Sequence, residues 1–356
     1  MNWSRFSRAL RRLPAIALLC LATPAFSAPL APPSSPRFDN QLTEETGVHI
    51  FTSLLQDRQG FVWMGTEDGL YRHDGYQPKP FRFSPENPNS LPGEWITALF
   101  EDNQGRIWVG TTQGLARFEA ATGEFTRFAP ESVQDRGLHI RKIISDGKRG
   151  MWLATRDGLQ HFDPDSGRFR LYRHDASQPG SLSSNNLSAL ALDAKGGVWA
   201  ATWPGGLDYL PPGASVFQHY RVDSAARPDP NLNNVRALLF DHRQRLWIGT
   251  ESAIVVWQQN TGWQQKKRLA TPPGLGEFRV NTIYQDHQKT LWIGALAGLF
   301  RWDDDKQQFA VYRHRPEDMH SLSSNAISCL LQDRAGILWV GTTFDGLNRI
   351  DPSNRG

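Results

Sequence analysis

The sequence has little cysteine, no long apolar run and no excess of either charge, and each shortage removes a class of protein. Its two cysteines are Cys20, inside an N-terminal apolar run, and Cys329, in the strand-like stretch AISCLLQD. An internal disulfide is therefore excluded, and Cys329 reads as a buried, inert thiol rather than a nucleophile. The N-terminal run LPAIALLCLA is too short to span a bilayer comfortably. The formal net charge is +3, but Arg5, Arg8, Arg11 and Arg12 precede residue 28 in a stretch that holds no acid. Removing those four from 39 basic residues leaves 35 against 36 acidic ones, so neither a polyanion-binding surface nor a nucleic-acid partner is indicated.

Catalytic signatures are missing too. There is no nucleophile elbow, P-loop or dinucleotide fingerprint, and no histidine pair at zincin spacing. The run Asp303 to Asp305 sits in turn composition without the spacing of a calcium loop. No catalytic residue, metal or cofactor is assigned, and the chain is expected not to be an enzyme. A basic stretch to Arg12, the apolar run and AFSA fit a signal peptide over residues 1–27, followed by a Pro-rich leader over 28–36. The expected location is the periplasm, with an uncleaved anchor as the lesser alternative.

What the sequence does have is tryptophan, glycine and repetition. QDRQGFVWMGTEDGLYRHDG, starting at Gln56, returns as DNQGRIWVGTTQGLARF from Asp102 and, five further times, as variants ending with DRAGILWVGTTFDGLNRI from Asp333. The central residues are Trp63, Trp108, Trp152, Trp199, Trp247, Trp292 and Trp339, at spacings of 45, 44, 47, 48, 45 and 47, each with an Asp six residues before it. Fixed periods of this length mark repeat architectures.

One unit, Ile96 to Phe128, contains the short β-prone runs ITALF, RIWVGT, LARFE and FTRF separated by the turns DNQG, TTQG and ATGE. Four strands joined by tight turns make an antiparallel meander. In the second strand Ile107 and Val109 point to one face and Trp108 to the other, so both faces are apolar and need neighbours. Seven such sheets close into a single all-β, seven-bladed β-propeller of four-stranded antiparallel blades over residues 37–356. The last unit lacks a fourth strand, while RFDNQL precedes the first. Arg37 to Leu42 is thus expected to complete the last blade and remove the raw edge.

Residues repeated at one phase read as scaffold. Asp57 and its six counterparts are expected to accept backbone amides one or two residues on, and the tryptophans to pack between blades. Gly69, Gly114, Gly158, Gly206, Gly298 and Gly346 suit tight turns with positive φ; Ala253 takes that place in repeat five and predicts a distorted turn. Function belongs where the units differ. The turn after strand two and the connection between blades fall at one end of each sheet. That end offers Glu67, Asp68, Gln113, Arg156, Asp157, Trp203, Glu251, Phe344 and Asp345 as candidate ligand-binding residues. It also carries long polar loops such as HDASQPGSLSSNN from His174.

The unit, DxxGxLWxGTxxGL with SLSSNxI before the next copy, resembles the two-component regulator propeller repeat, best at Asp57 to Asp74, Asp102 to Phe118 and Asp333 to Ile350; Ala253 and Leu296 depart from it. The resemblance implies an extracytoplasmic sensor region of bacterial receptors, binding a small polar ligand or carbohydrate and serving a membrane sensor kinase or diguanylate cyclase. Such receptors generally carry further propeller repeats, a β-sandwich, a membrane helix and an output domain, which this sequence lacks after Ile350. A truncated receptor or a free-standing binding module is therefore expected. The alternative is a propeller-scaffold lyase or glycosidase acting on periplasmic polysaccharide, for which Glu67, Asp68, Glu251 and Asp345 supply carboxylates.

Overall fold

A computed structural model describes residues 37–39, 47–130, 138–224, 228–259 and 261–352. The signal peptide and leader expected over 1–36 lie outside the described residues. Blade one runs Phe51–Gln56, Val62–Thr66, Gly69–His73 and Pro78–Phe81 in simple up-and-down order, and five further sheets repeat this four-stranded meander. The seventh has three strands, Ile327–Gln332, Leu338–Thr342 and Leu347–Ile350. Among the described residues no helix is long and apolar enough to cross a membrane.

The core is seven seams rather than one centre. Each apolar cluster lies between two neighbouring blades, the last joining Val48, Phe51 and Met64 of blade one to Cys329, Trp339 and Leu347 of blade seven. Strand alternation works as expected: Ile107 and Val109 face blade one, and Trp108 faces blade three. Polar contacts close the ring with the chemistry used inside it. Arg334 N donates to Gln56 Oε1 at 2.8 Å, just as His287 N donates to Gln332 Oε1 at 2.8 Å.

Asp39 forms an antiparallel bridge with Arg349, exchanging backbone hydrogen bonds of 2.9 and 2.7 Å and an ion pair of 2.6 Å. Phe38 is buried between blades six and seven. Residues 37–39 thus lie along the third strand of blade seven, the position expected for the closing strand; residues 40–42 lie outside the described residues.

The six-residue interval between Asp and Trp has a direct cause. In blade one, Asp57 Oδ1 accepts the amides of Gln59 and Phe61, at 2.9 and 3.0 Å, and Oδ2 accepts Trp63 Nε1 at 2.7 Å. The amides lie two and four residues on, not one or two, because the carboxylate must reach over the turn to leave its second oxygen for the indole. Five blades make this Asp–Trp bond. In blade three His161 takes Asp146 instead, at 3.0 Å, and in blade four Gln259 takes Asp193, at 2.9 Å.

The turn glycines divide into two kinds. Gly69, Gly158, Gly206, Gly298 and Gly346 have positive φ as expected, but Gly114 does not. In blade two the turn, of the same length as in blades one and three, is closed by Thr111 N on Gly114 O and by Gly114 N on Thr111 Oγ1, and no left-handed residue is used. Ala253 makes the same two bonds with Thr250 in blade five. That turn is an alternative regular form rather than a distorted one.

Candidate functional site

The seven innermost strands line the central channel, and each carries a β-bulge just after its first residue. The bulged residues form a ring: Thr52, Thr97, Arg141, Ser188, Arg236, Asn281 and Ser328. Most of them donate a side-chain hydrogen bond to a carbonyl at the start of the next blade. Thr52 reaches Ile96 O at 2.6 Å, Asn281 reaches Ile327 O at 2.8 Å, and Ser328 reaches Phe51 O at 2.5 Å across the ring closure. Short polar side chains are enough for this.

Arginine stands at two of these positions. Arg141 touches Leu187 O at only 3.4 Å. Arg236 turns away from the next blade and pairs with Glu251 at 3.0 Å. Both line a cavity of about 440 Å³ at the channel mouth, together with Arg279, Asn281 and the half-exposed Trp95 and Trp203. No carboxylate is among its lining residues.

Charge at the mouth is visible in its titrating groups. Burial pushes His139 down to about 4, assisted by Arg156 and Arg141, and burial with the charges of Arg156 and Arg236 lowers Arg141. Below the mouth, Lys142 meets water only inside the channel; the strands around it desolvate the ammonium and lower its pKa. Burial raises the Cys329 thiol to about 12, as an inert cysteine requires.

His139 has a pH signature. Its ordinary value is 6.5, so between about pH 6.5 and about 4 the unfolded chain binds a proton that the folded chain refuses. Its contribution to stability is whole above that window and is lost on acidification. The imidazole is only partly buried, so solvent screens the effect and the loss at pH 5 is expected to stay below about 2 kcal/mol. Urea denaturation at several pH values is expected to show this slope in the wild type and to lose it in His139→Gln.

The nine residues expected at this end are there, but they do not converge. Trp203 lines the cavity and Glu251 holds a cavity arginine. Asp68 turns outward to Arg82 at 2.8 Å and Asp157 turns outward to Arg173, both arginines following the outermost strands. Gln113 lies over Gly93, the Asp345 amide closes its own turn on Thr342 Oγ1, and Phe344 is exposed; none of these, nor Glu67 or Arg156, lines the cavity. Reading the turns alone missed Trp95, Arg141, Arg236, Arg279 and Asn281. Comparing the second residue of every inner strand, as the turns were compared, marks Arg141 and Arg236 as the odd members of a hydroxyl-rich set. The run Asp303 to Asp305 belongs elsewhere: Asp304 pairs with Arg245, at 2.9 Å, and with Arg243.

Known proteins match this architecture. The extracellular domain assigned to a B. thetaiotaomicron hybrid two component system superposes with a TM-score of 0.74 at 22% identity, covering 89% of this chain and 42% of its own. A second such domain from that organism gives 0.73 at 21%, covering 88% and 39%. Virginiamycin B lyase from Staphylococcus aureus gives 0.65 at 11%, covering 89% and 99%. At these identities the likeness establishes the fold, and the chain spans less than half the length of the two B. thetaiotaomicron domains. No curated protein sequence matches the chain. The two component regulator propeller family matches residues 45–68, 90–113, 229–252 and 321–344, and the third of these ends one residue before Ala253. The chain is a seven-bladed propeller, and the repeats of its blades one, two, five and seven match the two component regulator propeller family.

Proposed function

We propose that this protein is a non-enzymatic, extracytoplasmic sensor propeller of a bacterial signalling system, binding a small polar ligand at the channel mouth and serving a membrane sensor kinase or diguanylate cyclase. The observation that carries the reading is the mouth cavity. Its volume of about 440 Å³ falls in the range of small-molecule sites, and it combines two partly exposed indoles with convergent donors. Its lining holds no carboxylate, which favours binding over glycoside hydrolysis, a reaction that needs two. The repeat family and the extracellular domains that share the fold support the signalling role.

A thermal-shift screen of sugars, amino acids and organic acids tests the site. Ligands that stabilise the wild type are expected to lose most of their shift in Trp203→Ala, while Phe344→Ala, outside the cavity, keeps it. Stabilisation that survives Trp203→Ala unchanged, or ligand turnover detected by chromatography, overturns the reading.

A further inference from the structure

We propose that the channel mouth selects a small organic anion, its carboxylate, sulfate or phosphate group held by Arg279, Arg141 and Arg236 and its body lying against Trp203. The proposal rests on the mouth being the ligand site and adds the chemical class that it takes.

The scaffold does not need arginine in the ring of bulged positions. At the ring of bulged positions, Thr52, Thr97, Ser188, Asn281 and Ser328 bridge to the next blade with short side chains. Arg141 makes that bridge poorly and Arg236 does not make it. Neither guanidinium is explained by the seam. Arg279 is less explained still. It leads into the inner strand of blade six, its Nε is buried, and that atom has no acceptor among the described residues. A buried donor without a partner costs about 1–3 kcal/mol, so an acceptor is expected to visit it.

The surrounding charges point the same way. Arg156 is exposed at this end of the ring, close enough to act electrostatically on Arg141 and His139, and Lys142 stands below the mouth. Against these cations Glu251, outside the lining, answers Arg236. The carboxylates at the turn tips are occupied outward, Asp68 by Arg82 and Asp157 by Arg173. Like charges gathered in a partly desolvated cavity repel one another, and a bound anion removes that repulsion while accepting planar, paired hydrogen bonds from the guanidinium forks. The chain as a whole is nearly neutral beyond residue 27, so the basic character is local to this cavity. Trp203 offers a flat apolar face beside it.

The test uses the whole chain at low ionic strength with galacturonate, glucose 6-phosphate and glucose 6-sulfate, against neutral galactose and glucose. Calorimetric titration is expected to show binding of at least one anion and far weaker binding of its neutral counterpart. Arg279→Gln is expected to weaken the anion about tenfold or more, Arg279→Lys to restore part of the loss, and Arg168→Gln, on the exposed outermost strand of blade three, to change nothing. Among the described residues the Arg279 side chain has no hydrogen-bond or ion-pair partner to lose on substitution, and unchanged thermal unfolding without ligand checks that the variant is folded. Neutral sugars binding as tightly as the anions, with Arg279→Gln unaffected and Trp203→Ala impaired, overturn the anion claim and leave the mouth as a ligand site. Binding indifferent to both Trp203→Ala and Arg279→Gln overturns the reading of the mouth itself. Failure of all three anions at millimolar concentration overturns the anion claim.

Discussion

Trp108→Ala is expected to lower the stability of the folded chain by about 3–5 kcal/mol. The indole is fully buried in the seam between blades two and three, against Leu115, Leu153 and the rings of Phe128 and Phe162, whose centroids lie 5.2 and 5.3 Å away. Alanine leaves a cavity there. It also takes the Nε1 donor, at 2.8 Å, from Asp102 Oδ2. Burial alone raises the Asp102 pKa; the hydrogen bonds of Trp108, Arg106 and the turn amides outweigh it and hold the carboxyl below its usual range. Without the indole, Arg106 at 2.5 Å and two amides still support the charge, so the turn is expected to persist while the seam loosens.

Two comparisons separate these effects. Trp108→Phe refills most of the seam and removes only the hydrogen bond, and its cost is expected to be about 1–2 kcal/mol. Trp152→Ala in blade three is expected to cost less than Trp108→Ala, because Trp152 is only partly buried and its Asp146 already bonds His161. Urea denaturation of the three variants is the measurement. Equal losses at Trp108 and Trp152 contradict the assignment of the cost to seam burial plus the Asp–Trp bond.

Gly158→Ala is expected to cost about 2–4 kcal/mol although it adds a single methyl group. The residue has φ of +108° and closes the turn between strands two and three of blade three. A Cβ there meets the carbonyl oxygen of Tyr172 at 2.3 Å, and that atom is backbone of the outer strand, which cannot swing aside. Gly114→Ala, at the matching place in blade two, is expected to stay within about 1 kcal/mol of the wild type. Its φ is not positive, its Cβ meets only the Pro92 ring, at 3.1 Å, and blade five already carries Ala253 in the same hydrogen-bonded turn. Thermal or urea unfolding distinguishes the pair. A mild Gly158→Ala or a severe Gly114→Ala contradicts the division into two turn forms.

That division marks where local sequence stops being informative. The motif is written alike around Gly114 and Gly158, yet one glycine is left-handed and the other is not: the Gly158 amide leaves its turn for Asn185 O, in the connection to the next blade, while the Gly114 amide bonds Thr111 Oγ1 within its own turn.

By itself the sequence determined the blade count, the four-stranded meander, the two-faced packing of the tryptophan strand and the end of the ring that is rich in variable polar groups. All of these follow from alternation and turn chemistry, interactions between residues a few positions apart, repeated until chance is excluded. Tertiary structure alone decided the second role of each aspartate and the composition of the channel mouth. Asp68 and Asp157 stand at turn tips as read, but arginines after the outermost strands draw them away from the axis. Arg141 and Arg236 stand in strands that read as plain scaffold, and a bulge in each inner strand aims them at the axis. The physical reason is distance along the chain. The mouth collects side chains from all seven blades, each about one repeat period from the next, and the direction in which each one points is set by pairing with a neighbouring strand and by the charge it finds there.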